Sequence, residues 1–185
     1  MKQIFIGGTG RSGTTILKKI ISSHSQVVAL PGELRVMTDP GGALELITAL
    51  SDRWSPYNAD MAIQRFQKMV TEASRGRTEV AVNVEKAEKR AFRYLGVSSR
   101  RYLGLGFGAY FGKRHLRHCL DDLVSELSHE TVSGSWFGSE PLRIGAKMYE
   151  ADVTERDAVI SQLAAFFTRL YANMEGAEPV SYTHL

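Results

Sequence analysis

The chain holds a single cysteine, Cys119, so no disulfide can form within it, and that usage fits a reducing compartment. No apolar run approaches the roughly 20 residues needed to cross a bilayer. The opening Met1-Lys2-Gln3-Ile4 passes straight into a strand-like stretch and leaves no room for a signal peptide. These absences together point to a cytoplasmic protein with no membrane partner. Charge of one sign is also scarce: a net +3 over 185 residues identifies no ligand by itself. Internal repeats and low-complexity tracts are missing. What remains is a chain with 43% hydrophobic residues, enough for one domain with a real core and too apolar for disorder.

The most informative stretch is Ile4 to Thr15, IFIGGTGRSGTT. A short apolar run is followed by glycines at 7, 8, 10 and 13, and then by a helical pattern. Strand, glycine loop and helix N-terminus in that order build a seat for a phosphate-like anion. Glycines let the backbone approach closely, the first helical N–H groups lack partners, and the helix dipole is positive at that end.

Three anions suit such a loop. Gly8-Thr9-Gly10-Arg11-Ser12-Gly13 satisfies G-x-G-x-x-G, the dinucleotide spacing, and Glu33 lies about 20 residues on, where a ribose-binding acid is expected. This leaves an NAD(P)-binding reductase as an alternative. Gly8, Gly13 and Thr15 also fit the triphosphatase loop, but Thr14 stands where its lysine belongs, and no apolar strand ends in an Asp to hold Mg²⁺. The third reading places the cation inside the loop, at Arg11.

Arg11-Ser12-Gly13-Thr14-Thr15 resembles the [KR]-[ST]-G-[ST]-[ST] loop of sulfotransferases that use 3′-phosphoadenosine 5′-phosphosulfate, at all five positions. Gly10 stands where that family often has proline. Glu33-Leu34-Arg35-Val36 is similar to a Glu-x-Arg-Val stretch that follows the second strand of tyrosylprotein-type and related bacterial sulfotransferases. The resemblance implies a P-loop NTPase-like three-layer sandwich: an α/β fold, helix-rich, with a parallel sheet between helices and incomplete at its C-terminal end. It implies a donor end held by Gly8, Gly10, Arg11, Ser12, Gly13, Thr14 and Thr15. Arg11 and Glu33 would be catalytic, Glu33 as general base, with Arg35 binding the acceptor. The acceptor would bear a hydroxyl on a tyrosine, a sugar or a small molecule. No metal and no nucleic acid are expected, and oligomeric state stays open.

Further along, periodicity predicts a strand over 3–6, a helix over 13–23 with Ile16, Leu17, Ile20 and Ile21 in the core, and a strand over 26–30. Helices follow at 43–50, 59–73, 84–96 and 113–128. The glycine-rich stretch 104–112 suits close helix packing or a substrate-facing loop, and 133–138 a loop that places Trp136 and Phe137. A last helix spans 155–174, opened by a capping-box-like Thr154-Glu155-Arg156-Asp157. Arg100, Arg101, Lys113, Arg114 and Arg117 gather in one segment with His115 and His118. This basic cluster reads as a solvated helix face, and no nucleic-acid motif accompanies it. His115, His118 and Cys119 share a helix face but lack the partner pair that zinc wants. Residues 180–185, VSYTHL, continue no earlier pattern and read as a non-native tail. Residues 1–179 are then expected to be the N-terminal part of one sulfotransferase domain.

Overall fold

The order of packing follows from where the apolar stripes fall. The computed structural model describes residues 4, 6–9, 11–30, 35–74, 106–134, 136 and 147–176. Helix α1 spans Thr14–Ser22, α2 Ala43–Leu50, α3 Pro56–Ser74, α4 Phe107–Phe111, α5 Lys113–Leu127 and α6 Arg156–Ala172. Short 3₁₀ turns occupy Arg35–Met37 and Asn173–Gly176. Strands β1 (Glu130–Ser133) and β2 (Lys147–Glu150) pair antiparallel, with Thr131 opposite Tyr149.

Helix α2 sends Leu46, Ile47 and Leu50 inward, α3 contributes Ile63, Phe66 and Val70, and α6 contributes Val159, Leu163 and Phe166. These spacings of three and four residues lay each set along one helix face. α2 packs on α3 and α6, α5 on α6, and β2 against α3. Phe66 and Phe166 meet edge to face with ring centroids 6.0 Å apart, and Phe111 meets Tyr171 at 5.6 Å. Such pairs contribute about 0.5–1.5 kcal/mol beyond area burial.

Helices α2, α3, α5 and α6 lie where periodicity puts them, with ends within three residues. Of the glycine-rich stretch, residues 106–112 are described and pack closely: a Cβ on Gly108 would sit 2.5 Å from the Ser74 carbonyl oxygen, so only glycine lets α4 abut the end of α3. Lys113, Arg114 and Arg117 form the solvated face of α5, over the buried Leu116, Cys119 and Leu120. The expected helix 84–96, Arg100, Arg101, Phe137 and the tail 180–185 lie outside the described residues.

Three expectations are corrected. First, α1 forms, but its stripe is not core: Ile16 is 65% and Ile20 63% exposed, and α1 buries no residue. The amphipathic pattern is real, but no described element lies over it. Second, Val27–Leu30 is not a strand, and Ile4 and Ile6 sit in none. A strand needs a hydrogen-bonding neighbour, and here Val28 and Leu30 instead lean half-buried on the helical core. Among the described residues, the sheet is the two-stranded antiparallel β1–β2 pair, and the parallel sheet is not seen. That pair escapes sequence patterning because each strand is four residues long and β1 is exposed throughout. Third, the capping box at α6 does not close: no side chain caps it, Thr154 Oγ1 turns to the Asp152 carbonyl, and Thr154 N–H donates to Leu50 O at 2.9 Å. The chain is thus mixed α/β and helix-rich.

Candidate functional site

The glycine loop is shaped by local sterics. Ser12 N–H donates to the Thr9 carbonyl at 3.2 Å and closes a tight turn. Inside that turn Arg11 takes φ of 64°, a left-handed conformation uncommon for a residue with a Cβ. Gly13 follows at φ 83° and serves as the N-cap of α1, where glycine carries no steric cost. A Cβ on Gly8 would fall 2.5 Å from Ser12 Oγ and 2.7 Å from Thr14 Cγ2. The hydroxyl-bearing side chains therefore fold over bare backbone at Gly8, a cradle that any larger residue would fill.

The electrostatics point one way. No side chain caps α1 and no acid sits in its first turn. The Gly13 carbonyl receives Ile16 N–H and Leu17 N–H, each at 3.0 Å, while the N–H groups of Thr14 and Thr15 donate to no acceptor among the described residues. Arg11 is exposed and pairs with no described carboxylate. Free N–H groups, the positive end of the helix dipole and a guanidinium converge on one loop. Gly8, Arg11, Ser12, Gly13, Thr14 and Thr15 are thus brought together. Gly10 and Glu33 lie outside the described residues, and of Arg35 only the backbone, opening its 3₁₀ turn, is described.

The helical half holds features that periodicity does not flag. Asp60 is 0% exposed, and its carboxylate accepts from Gln64 Nε2 and Trp136 Nε1 at 2.8 Å and from Tyr149 N–H at 2.9 Å. Its sequence signal is an acid three residues before Ile63, on the apolar stripe of α3. Beside the 3₁₀ turn, an open cleft of about 280 Å³ is lined by Pro40, Gly41, Glu45, Arg65, Lys68 and Met69, with Glu72 at its edge. Glu45 accepts from Gly41 N–H at 2.7 Å and from Arg65 Nη1 at 2.6 Å. Burial pushes the Glu45 carboxyl up, but the Gly41 N–H and the Arg65 guanidinium outweigh it and hold the pKa below the ordinary value.

His115 Nε2 lies 3.0 Å from the Arg169 carbonyl and 3.4 Å from Cys119 Sγ, so the ring ties α5 to α6. His118 instead faces Asp122. Among the described residues no group of three or more His, Cys, Asp or Glu is placed to hold a metal ion, and no helix is long and apolar enough to cross a membrane.

A glycine loop with unsatisfied donors ahead of a helix N-terminus is the kind of feature on which proteins bind phosphate-like anions. Comparison narrows the class: the model of the Sulfotransferase family matches residues 3–101, more than half of the chain. The chain belongs to the sulfotransferase family. No curated protein and no solved structure matches it. Family membership makes it a transferase acting on a hydroxyl-bearing acceptor, and gives the dinucleotide alternative of Gly8, Gly10 and Gly13 no support.

Proposed function

We propose that this protein moves a sulfuryl group from 3′-phosphoadenosine 5′-phosphosulfate to an acceptor hydroxyl, within a single domain that includes residues 1–179. The observation that carries this reading is the loop itself. A guanidinium, two free helix N–H groups and a glycine cradle stand together in a chain of the sulfotransferase family.

Gly8, Gly10, Ser12, Gly13, Thr14 and Thr15 would bind the phosphosulfate oxygens through backbone N–H groups and hydroxyls. Arg11 adds a permanent cation where charge builds on the oxygens as the group transfers. A sulfuryl group carries less charge than a terminal phosphoryl group, so this loop has less to neutralise and the reading calls on no metal. Glu33 takes the acceptor proton as the acceptor oxygen bonds to sulfur. The bond from sulfur to the bridging oxygen then breaks, and its electrons leave on the 5′-phosphate. Arg35, two residues on, orients the acceptor. A cytoplasmic location, expected from the single cysteine, belongs to the same reading.

Glu33→Gln, made in a protein that carries the complete domain, tests the mechanism. Transfer of labelled sulfuryl groups to a panel of phenols and sugars should fall about 10²–10⁴-fold. Affinity for adenosine 3′,5′-bisphosphate, the desulfated product, should stay unchanged. Full turnover by this variant would remove Glu33 from the reaction.

A further inference from the structure

The cleft of about 280 Å³ between the Asp39–Gly42 turn and α3 is at the small end of ligand sites, the size of one amino acid rather than of a chain. The turn forms one wall. Gly42 N–H closes it on the Asp39 carbonyl at 2.8 Å, and a Cβ on Gly42 would fall 2.5 Å from the Val36 carbonyl oxygen, so the wall backs directly on the 3₁₀ turn. The outer face of α3 forms the other wall, with Arg65, Lys68, Met69 and Glu72 brought to one side by spacings of three and four. Glu45 locks the two walls together. Its Oε2 accepts from Gly41 N–H at 2.7 Å and its Oε1 from Arg65 Nη1 at 2.6 Å.

Four charges line the cleft, and they divide into a spent pair and a free pair. Glu45 and Arg65 hold each other. Lys68 and Glu72 meet no partner among the described residues, not even one another, although one helical turn sets their Cβ atoms only about 6 Å apart. Lysine ahead of glutamate is the weaker order for such a pair on a helix, so both groups stay available to a ligand. The lining balances two cations against two carboxylates. A ligand of one sign would satisfy one free group and set itself against the other. Met69 and the Pro40 ring supply apolar surface beside them.

We propose that this cleft seats a free aromatic amino acid that carries a hydroxyl, tyrosine being the simplest. Its α-carboxylate meets Lys68, its α-ammonium meets Glu72, and its ring lies against Pro40 and Met69, where a thioether suits an aromatic face. A tyrosine within a peptide lacks both charges and leaves Lys68 and Glu72 unanswered. Glu33 precedes Pro40 by seven residues, so one stretch of chain carries both the proposed base and a wall of the cleft. As the identity of the acceptor, this inference rests on the proposed sulfuryl transfer; as a binding site it stands apart from it.

Four ligands that share a phenol dissect the site. Ligand-observed NMR titration of the full chain, without donor, compares L-tyrosine with tyramine, which lacks the carboxylate, with 3-(4-hydroxyphenyl)propionate, which lacks the ammonium, and with N-acetyl-L-tyrosine amide, which lacks both charges. Tyrosine should bind about threefold to tenfold tighter than either singly charged ligand, and the capped amide weakest of all. Lys68→Met should reduce tyrosine to the affinity of tyramine without weakening tyramine. Glu72→Gln should reduce tyrosine to the affinity of the propionate without weakening the propionate. Both variants should melt as the parent does. No saturable binding of tyrosine, capped amide binding as tightly as tyrosine, or variants that weaken all four ligands alike would overturn the proposal. Tyrosine binding in this pattern, with no sulfuryl transfer to any acceptor by the complete domain, would uphold the cleft and sink the proposed reaction. Transfer to capped tyrosine or to sugars, with no binding of free tyrosine, would do the reverse.

Discussion

Helices α1 and α6 carry similar promise in sequence and end in opposite settings. Each has apolar residues at helical spacing. α6 buries Val159, Leu163, Phe166 and Leu170 within the helical core, whereas α1 buries nothing and leaves Ile16 and Ile20 open. The difference teaches that an apolar stripe specifies a helix and a face, not what covers that face. It also separates two kinds of work. The half from Ala43 onward supplies the apolar core, and the glycine loop presents unsatisfied donors, which packing would only have consumed.

That division can be broken or sharpened by experiment. The largest stability effect should come from Phe166→Ala in the fully buried core, a loss of about 3–5 kcal/mol in denaturant unfolding. Any such variant that stays folded should bind adenosine 3′,5′-bisphosphate as the parent does. A matching loss of affinity would join the two halves that the comparison separates.

A smaller effect is expected at alkaline pH. Burial pushes the Tyr171 phenol from 10.0 to about 12. The folded state then holds this proton more tightly than the unfolded one. Its contribution is present below pH 10 and is lost as the pH rises toward 12, in all about 2–3 kcal/mol. Melting curves of Tyr171→Phe should decline less steeply than the parent's across that window. Identical slopes would count against a buried phenol at this position.

The smallest effect belongs to the exposed Arg65–Glu45 pair, with side chains 56% and 34% accessible. The Glu45 pKa is lowered, so the pair stabilises the fold above the ordinary carboxylate range and fades as acid protonates Glu45. Arg65→Ala should lose about 0.2–1 kcal/mol near neutrality and nothing near pH 3. A loss that persisted in acid would mean that the Arg65 stem, rather than its charge, packs the cleft.

How far these features could be read beforehand depends on how local they are. The helices at 43–50 and 113–128 were legible because periodicity and turn residues lie within the segment itself. The tight glycine loop at Gly8, Arg11, Ser12 and Gly13 was legible for the same reason: its backbone conformation is set within a dozen residues. Long-range matters were not. Asp60 gains its meaning only from Trp136 and Tyr149, more than 70 residues away. The exposure of α1 and the lone antiparallel ladder depend on which surfaces meet, and Thr154 found the end of α2 instead of closing its own capping box. Glu33 was singled out by resemblance, and its place beside the loop remains a matter for the Glu33→Gln variant.

The central claim is that Arg11 and the first turn of α1 grip a sulfated nucleotide. Calorimetric titration of the parent and of Arg11→Ala with adenosine 3′,5′-bisphosphate, and in parallel with NADPH, tests it most directly. The account predicts binding of the bisphosphate by the parent, a loss of about tenfold to a hundredfold in Arg11→Ala with an unchanged melting temperature, and no heat with NADPH. Saturable NADPH binding that depends on Arg11, with none for the bisphosphate, would contradict it.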